Sequence, residues 1–171
     1  MNLRSTLALV LICCASGMAD DAALKKGAKA RTQELSDATV KGSFEKILDL
    51  THPRVIELGG GRDKMIAAME VTFRQMKEEG IGYRSAIVEE PSDPVRHGTE
   101  VYIVVPFRLE MKAPGGKVRA DGYVVGVTAD EGKTWGLVNG IADFAKLKQI
   151  LPDLPDRLML PAYRKPTFER D

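Results

Sequence analysis

The stretch Thr99–Lys112, TEVYIVVPFRLEMK, alternates with a period of two. Its odd positions, Val101, Ile103, Val105, Phe107, Leu109 and Met111, are all apolar, and Arg108, Glu110 and Lys112 occupy even ones. That pattern predicts a long strand with one face on a core and the other in water. Pro106 has no N–H to give a ladder, so a sheet edge or a bulge is expected there. The next residues, Ala113-Pro114-Gly115-Gly116, read as a hairpin turn, and Lys117–Thr128 as the returning strand. Ala129-Asp130-Glu131-Gly132 turns the chain again into a last strand over Lys133–Ile141. Upstream, Ile81–Val88 reads as a first strand and Pro91–Gly98 as a loop. Successive hairpins make an antiparallel meander.

Before residue 81 the apolar period is helical. Leu35, Val40, Phe44, Ile47 and Leu48 predict a helix from Gln33 that carries Gly42 inside it, at a cost of about 1 kcal/mol relative to Ala. Thr51-His52-Pro53 breaks the run, and Pro53 suits the first turn of a short helix to Leu58. Gly59-Gly60-Gly61 stops that helix. Met65, Ile66, Met69, Phe73 and Met76 form one stripe on a helix over Arg62–Glu79, with Gly80 as its cap. After the strands, Phe144–Leu151 reads as a short helix. The prolines from Pro152 to Pro161 lack donors and exclude regular structure, although the leucines among them can staple the segment to the domain. The fold class is therefore α+β, with N-terminal helices packed on a curved antiparallel sheet.

The organisation follows from composition. Residues 1–19 read as an export signal: Arg4, an apolar run from Leu7 to Cys14, then small residues up to Ala19. The run is far shorter than the roughly 20 residues needed to span a bilayer. Residues 20–32 read as a flexible segment, 33–150 as the domain and 151–171 as a Pro- and Leu-rich tail. Cys13 and Cys14, the chain's 2 cysteines, both fall in the signal, so the exported part carries no thiol. Lipid attachment at either is the weaker reading, because Ile12 and Cys13 precede them rather than a small residue. Without Arg4, the 25 Lys and Arg become 24, against 24 Asp and Glu. That balance gives no electrostatic footprint for nucleic acid. The expected location is periplasmic or secreted.

His52 is the strongest candidate for chemistry. It lies at a helix break three residues after Asp49, whose carboxylate could orient it for acid–base work. The alternative is that His52 caps the junction. His97, in the loop before the long strand, reads as solvated, and no spacing suits a metal site or calls for a cofactor. Gly59-Gly60-Gly61 lacks the Gly-Lys-Ser/Thr of a phosphate loop and reads as a joint between helices. Thr128-Ala129-Asp130-Glu131-Gly132-Lys133-Thr134-Trp135 resembles the Asp box of sialidase propellers. It occurs once, whereas a propeller needs repeated blades, so the motif reads as a structural turn.

The helices followed by a meander, with the junction His52-Pro53-Arg54-Val55-Ile56-Glu57-Leu58-Gly59-Gly60-Gly61-Arg62-Asp63-Lys64-Met65, resemble the nuclear transport factor 2-like superfamily. Ketosteroid isomerase and the polyketide cyclase SnoaL share that cone-shaped fold. The resemblance covers Leu35–Ile141. It implies a pocket at the open end of the cone and a homodimer through the outer sheet face. On that reading Arg54, Tyr83, Tyr102 and Trp135 line the pocket, which takes a small apolar molecule or a partner. A cofactor-free isomerase, dehydratase or hydrolase using His52 and Asp49, and a non-catalytic envelope interaction protein, are the two alternatives.

Overall fold

The computed structural model describes residues 16–139 and 144–171. Its centre is the hairpin of β3 (Glu100–Ala113) and β4 (Gly116–Thr128), paired without interruption from Val101↔Thr128 to Ala113↔Gly116. Pro114 presets the turn, and Gly115 takes the φ of +73° that side chains avoid. β1 (Gly82–Val88) and β2 (Val95–His97) both pair with the other edge of β3, and β5 (Gly136–Asn139) with the far edge of β4. All of these pairings are antiparallel.

Pro106 sits on a central strand and not at an edge, opposite Tyr123. The Glu89 N–H donates to the Pro106 carbonyl at 2.9 Å. In an antiparallel pair the reciprocal bond would come from residue 106, so the proline's missing donor falls just where β1 pairing gives out. Between β1 and β2, Ser92 takes over. Its N–H donates to the Val104 carbonyl, and its Oγ accepts from the Val104 N–H at 3.0 Å.

The expectation of one wet face on β3 holds for only half of the strand. Ile103 and Val105 face one core, with Val124 and Leu137, while Tyr102 and Val104 face a second, with Tyr123, Val125, Val127 and Val138. Helix α1 (Ser16–Lys41) covers the first face through Leu24, Ala28 and Leu35. Helix α5 (Phe144–Ile150) and the segment after it cover the second through Leu147, Leu151, Leu154 and Leu158. Covering both faces explains why even positions near residue 103 are apolar while those beyond 107 are charged.

Several boundaries differ from expectation. Residues 20–32, expected to be flexible, form helical turns of α1, because Leu24, Ala28 and Thr32 recur at four-residue spacing and are buried. The expected signal boundary falls inside α1; residues 1–15 lie outside the described residues. Gly42 does not sit within a helix. At φ +67° it ends α1, and α2 (Phe44–Leu50) begins afresh. The last meander strand starts at Gly136 rather than Lys133, because residues 129–135 close the turn, and residues 140 and 141 lie outside the described residues. The tail is irregular through its prolines but ends in β6 (Thr167–Arg170), which pairs with β4 beside the hairpin turn. Helices α3 (Pro53–Leu58) and α4 (Arg62–Glu78) stand as read, and Gly80 takes φ +71° after the second.

β6 rests directly on Gly116, where an added Cβ would lie 2.1 Å from the Glu169 carbonyl oxygen. Gly116→Ala is therefore expected to release β6 at a cost of about 1–3 kcal/mol. Hydrogen exchange should show the Thr167–Arg170 amides losing protection while β3 keeps its own. Unchanged protection of β6 would contradict this account.

Candidate functional site

The sheet runs on past the point where α1 stops at Gly42. There α4 covers the inner face, but loosely: none of its residues is fully buried, despite the stripe of Met65, Ile66, Met69, Phe73 and Met76. An aromatic trio holds it. Phe73 meets Phe44 edge-on, with ring centroids 4.9 Å apart, and lies 5.3 Å from the Tyr83 ring. The remaining space is an open groove of about 480 Å³ lined by Val40, Phe73, Arg74, Met76, Lys77, Ile81, Gly82 and Tyr83. That volume is in the range of small-molecule sites.

Tyr83 is also a wall of a second, smaller cavity of about 80 Å³ under α1. Leu35, Ala86, Phe107, Leu109 and Val124 make its apolar surface, and Ser36, Thr39 and Asn139 its polar points. Burial pushes the Tyr83 phenol up from its ordinary pKa, so it stays a neutral donor. Thr32, one turn before Ser36, is fully buried, and its hydroxyl has no hydrogen-bond partner. Thr32, Ser36 and Thr39 thus form a polar stripe on the α1 face turned to the sheet. That i, i+4, i+7 spacing was legible in the sequence, but it is overshadowed there by Leu35 and Val40.

The residues expected to share a pocket are spread over the molecule. Tyr83 lines the groove. Trp135 is on the same sheet face but packs against Gly27 of α1, roughly 20 Å along that helix from Val40. Tyr102 is on the opposite face, fully buried. Its hydroxyl donates to the Glu100 carboxylate. Burial, that bond and the charges of Glu100 and Asp153 raise its pKa well above the ordinary value. Arg54 is exposed and pairs with Glu57 at 2.8 Å.

Asp49 and His52 do not form a dyad. The Asp49 carboxylate accepts from Arg62 at 2.8 Å. His52 caps α3: its Nδ1 accepts from the Arg54 N–H at 3.2 Å, and its own N–H donates to the Leu137 carbonyl. The ring lies over Gly136, where a Cβ would approach within 2.7 Å of it. Burial lowers the His52 pKa, and the charge of Glu100 partly offsets this. Among the described residues, no group of three or more His, Cys, Asp or Glu side chains is placed to hold a metal ion. No helix there is long and apolar enough to cross a membrane.

The Asp130 turn is structural in its contacts. The Asp130 carboxylate accepts from the Thr134 N–H at 2.8 Å and the Thr134 hydroxyl at 2.7 Å. The Trp135 indole N–H donates to the Gly132 carbonyl. On the outer sheet face beyond Pro106, Arg108 pairs with Glu89 and Asp121, and Arg119 with Glu110 and Glu169. Clefts of about 290 and 430 Å³ open there, but these charges already satisfy one another.

Comparison with known proteins found no matching family model, no matching curated protein and no matching solved structure.

Two titrations test this geometry. His52 should titrate below 6.5 by NMR, and Glu100→Gln should take it lower still. Because the folded state prefers the neutral ring, its contribution to stability is present above 6.5 and declines as pH falls below that value. A His52 pKa above 6.5 would contradict the burial argument. Asp130 should titrate at about 2, held down first by the Thr134 N–H and then by its hydroxyl. Its contribution is present above the unfolded value of 3.8 and is lost as pH falls through about 2. Asp130→Asn should flatten the stability–pH curve over that window, and an unchanged slope would rule the turn out as its source.

Proposed function

We propose that this chain is an exported, non-catalytic binding domain that takes a small apolar molecule in the groove beside Tyr83. One observation carries the reading: Tyr83 lines both the groove under α4 and the smaller cavity under α1. A guest that moves this ring gains both volumes. Apolar walls with a few fixed polar points are the usual make-up of such a site. On the nuclear transport factor 2-like reading the cone pocket would fall at this end of the sheet, since α1 and Trp135 fill the other.

The enzyme alternative has less to support it, because Asp49 and His52 are each engaged elsewhere. The outer face, which the resemblance assigns to a dimer, is half covered by α5 and the tail and half occupied by ion pairs. A monomer suits this better than a sheet-to-sheet dimer.

Two measurements on protein purified from an exporting host test the proposal. Native mass spectrometry should show a reproducible small apolar adduct. The neutral probe N-phenyl-1-naphthylamine should bind saturably at one equivalent. Met76→Asp, which puts a charge in the groove at a half-exposed position, should weaken the probe at least about tenfold without changing the circular dichroism. Absence of saturable binding, or binding indifferent to Met76→Asp, would sink the proposal.

A further inference from the structure

We infer that the guest is a single-chain anionic amphiphile, a free long-chain carboxylate, whose head is held by Arg74 and Lys77 at the mouth of the groove. This rests on the groove reading above and adds the class of ligand.

The two cations are three residues apart on α4, so they project from one side of the helix. Both line the same groove as Phe73, Met76 and Tyr83. Arg74 is unusual in this molecule. Among the described residues, the arginines other than Arg74 and Arg170 each have an acceptor, in most cases a carboxylate. Arg74 has none, although Glu70 and Glu78 lie one turn to either side of it on the helix. Lys77 has none either. Its place in the last turn of α4 suits the helix dipole and needs no ligand. Arg74, further from that end, has no such explanation.

The polarity of the two volumes fixes the orientation. The inner cavity has no cationic lining and measures about 80 Å³. An ionised head would lose its hydration there without a counter-charge. The chain end therefore points inward past Tyr83, and the head stays in the open groove beside the guanidinium and ammonium groups. Arg74 matches a carboxylate through paired N–H donors, and Lys77 adds a second charge. A groove of about 480 Å³, backed at Tyr83 by a cavity of about 80 Å³, accommodates one chain better than the two chains of a membrane lipid.

The experiment compares dodecanoate with dodecan-1-ol, which share the chain and differ in the charge of the head, by displacement of N-phenyl-1-naphthylamine from the full chain. Dodecanoate should bind about tenfold more tightly than the alcohol. The double variant Arg74→Gln/Lys77→Gln should remove that preference, weakening dodecanoate about tenfold more than it weakens the alcohol. Raising the salt to 0.5 M should reduce the preference as well. Equal binding of the two ligands by the native protein, or a preference that survives the double variant, overturns the inference while the groove reading stands. Failure of both ligands to displace the probe overturns the inference and, where the probe itself does not bind, the groove reading with it. Both substituted positions are exposed on α4, so loss of folding does not confound the result.

Discussion

The central hairpin is apolar on both faces over Tyr102–Val105 and Tyr123–Val127, and this constraint governs the rest of the molecule. A strand pair of that kind must be dry on two sides. Helix α1 supplies one cover and the chain beyond β5 the other. Further along, β3 and β4 change character: Arg108, Glu110, Arg119 and Asp121 point outward and hold one another. The inner face there is still apolar at Met111, yet α1, whose last turns reach as far as Leu109, has ended. The candidate site is a consequence of this mismatch in length, since the sheet outruns its principal helix and α4 closes the gap only through the Phe44–Phe73–Tyr83 contacts.

At the other end of α1 the packing is tight. The Trp135 indole lies against Gly27, where a Cβ would come within 3.2 Å, and against Gly126 of β4 on its other side. The glycines on helix and strand make a slot for the ring. The Asp130 turn aims the indole into it, with Gly132 at φ +85° closing the loop. α1 is seated against this ring at one end and, at the other, leaves a cavity between Leu35, Ser36 and Thr39 and the sheet, which places the tighter packing away from the site.

The sequence showed the elements whose pattern was local. The alternation over residues 99–112, the stripe on residues 62–79 and the break at His52-Pro53 each appear as helix or strand where expected. It concealed what depended on distant partners. Leu24 and Ala28 lie among lysines, and only the far-off Trp135 and Ile103 show why that segment is ordered helix. Gly42 reads as a blemish within one helix until its positive φ shows two. Even positions of β3 looked solvent-facing because the cover over Tyr102 and Val104 comes from leucines some fifty residues later, between prolines. The expected site residues failed to converge for a related reason: Tyr83 and Tyr102 differ by an odd number of positions across a bulge and a loop, so their faces could not be assigned without the register.

The two covers of the central hairpin come from opposite ends of the chain. As the protein is made, α1 emerges first with nothing to lie on. β3 and β4 follow, and one of their faces stays bare until Leu147, Leu151, Leu154 and Leu158 have been added. Completion of the hairpin's packing therefore waits for that segment, and until it is made the nascent chain carries two valine-rich strands with an uncovered side. Such strands invite pairing with other chains. A protein built this way benefits from an escort that shields the bare side of the hairpin until Leu158 has been added.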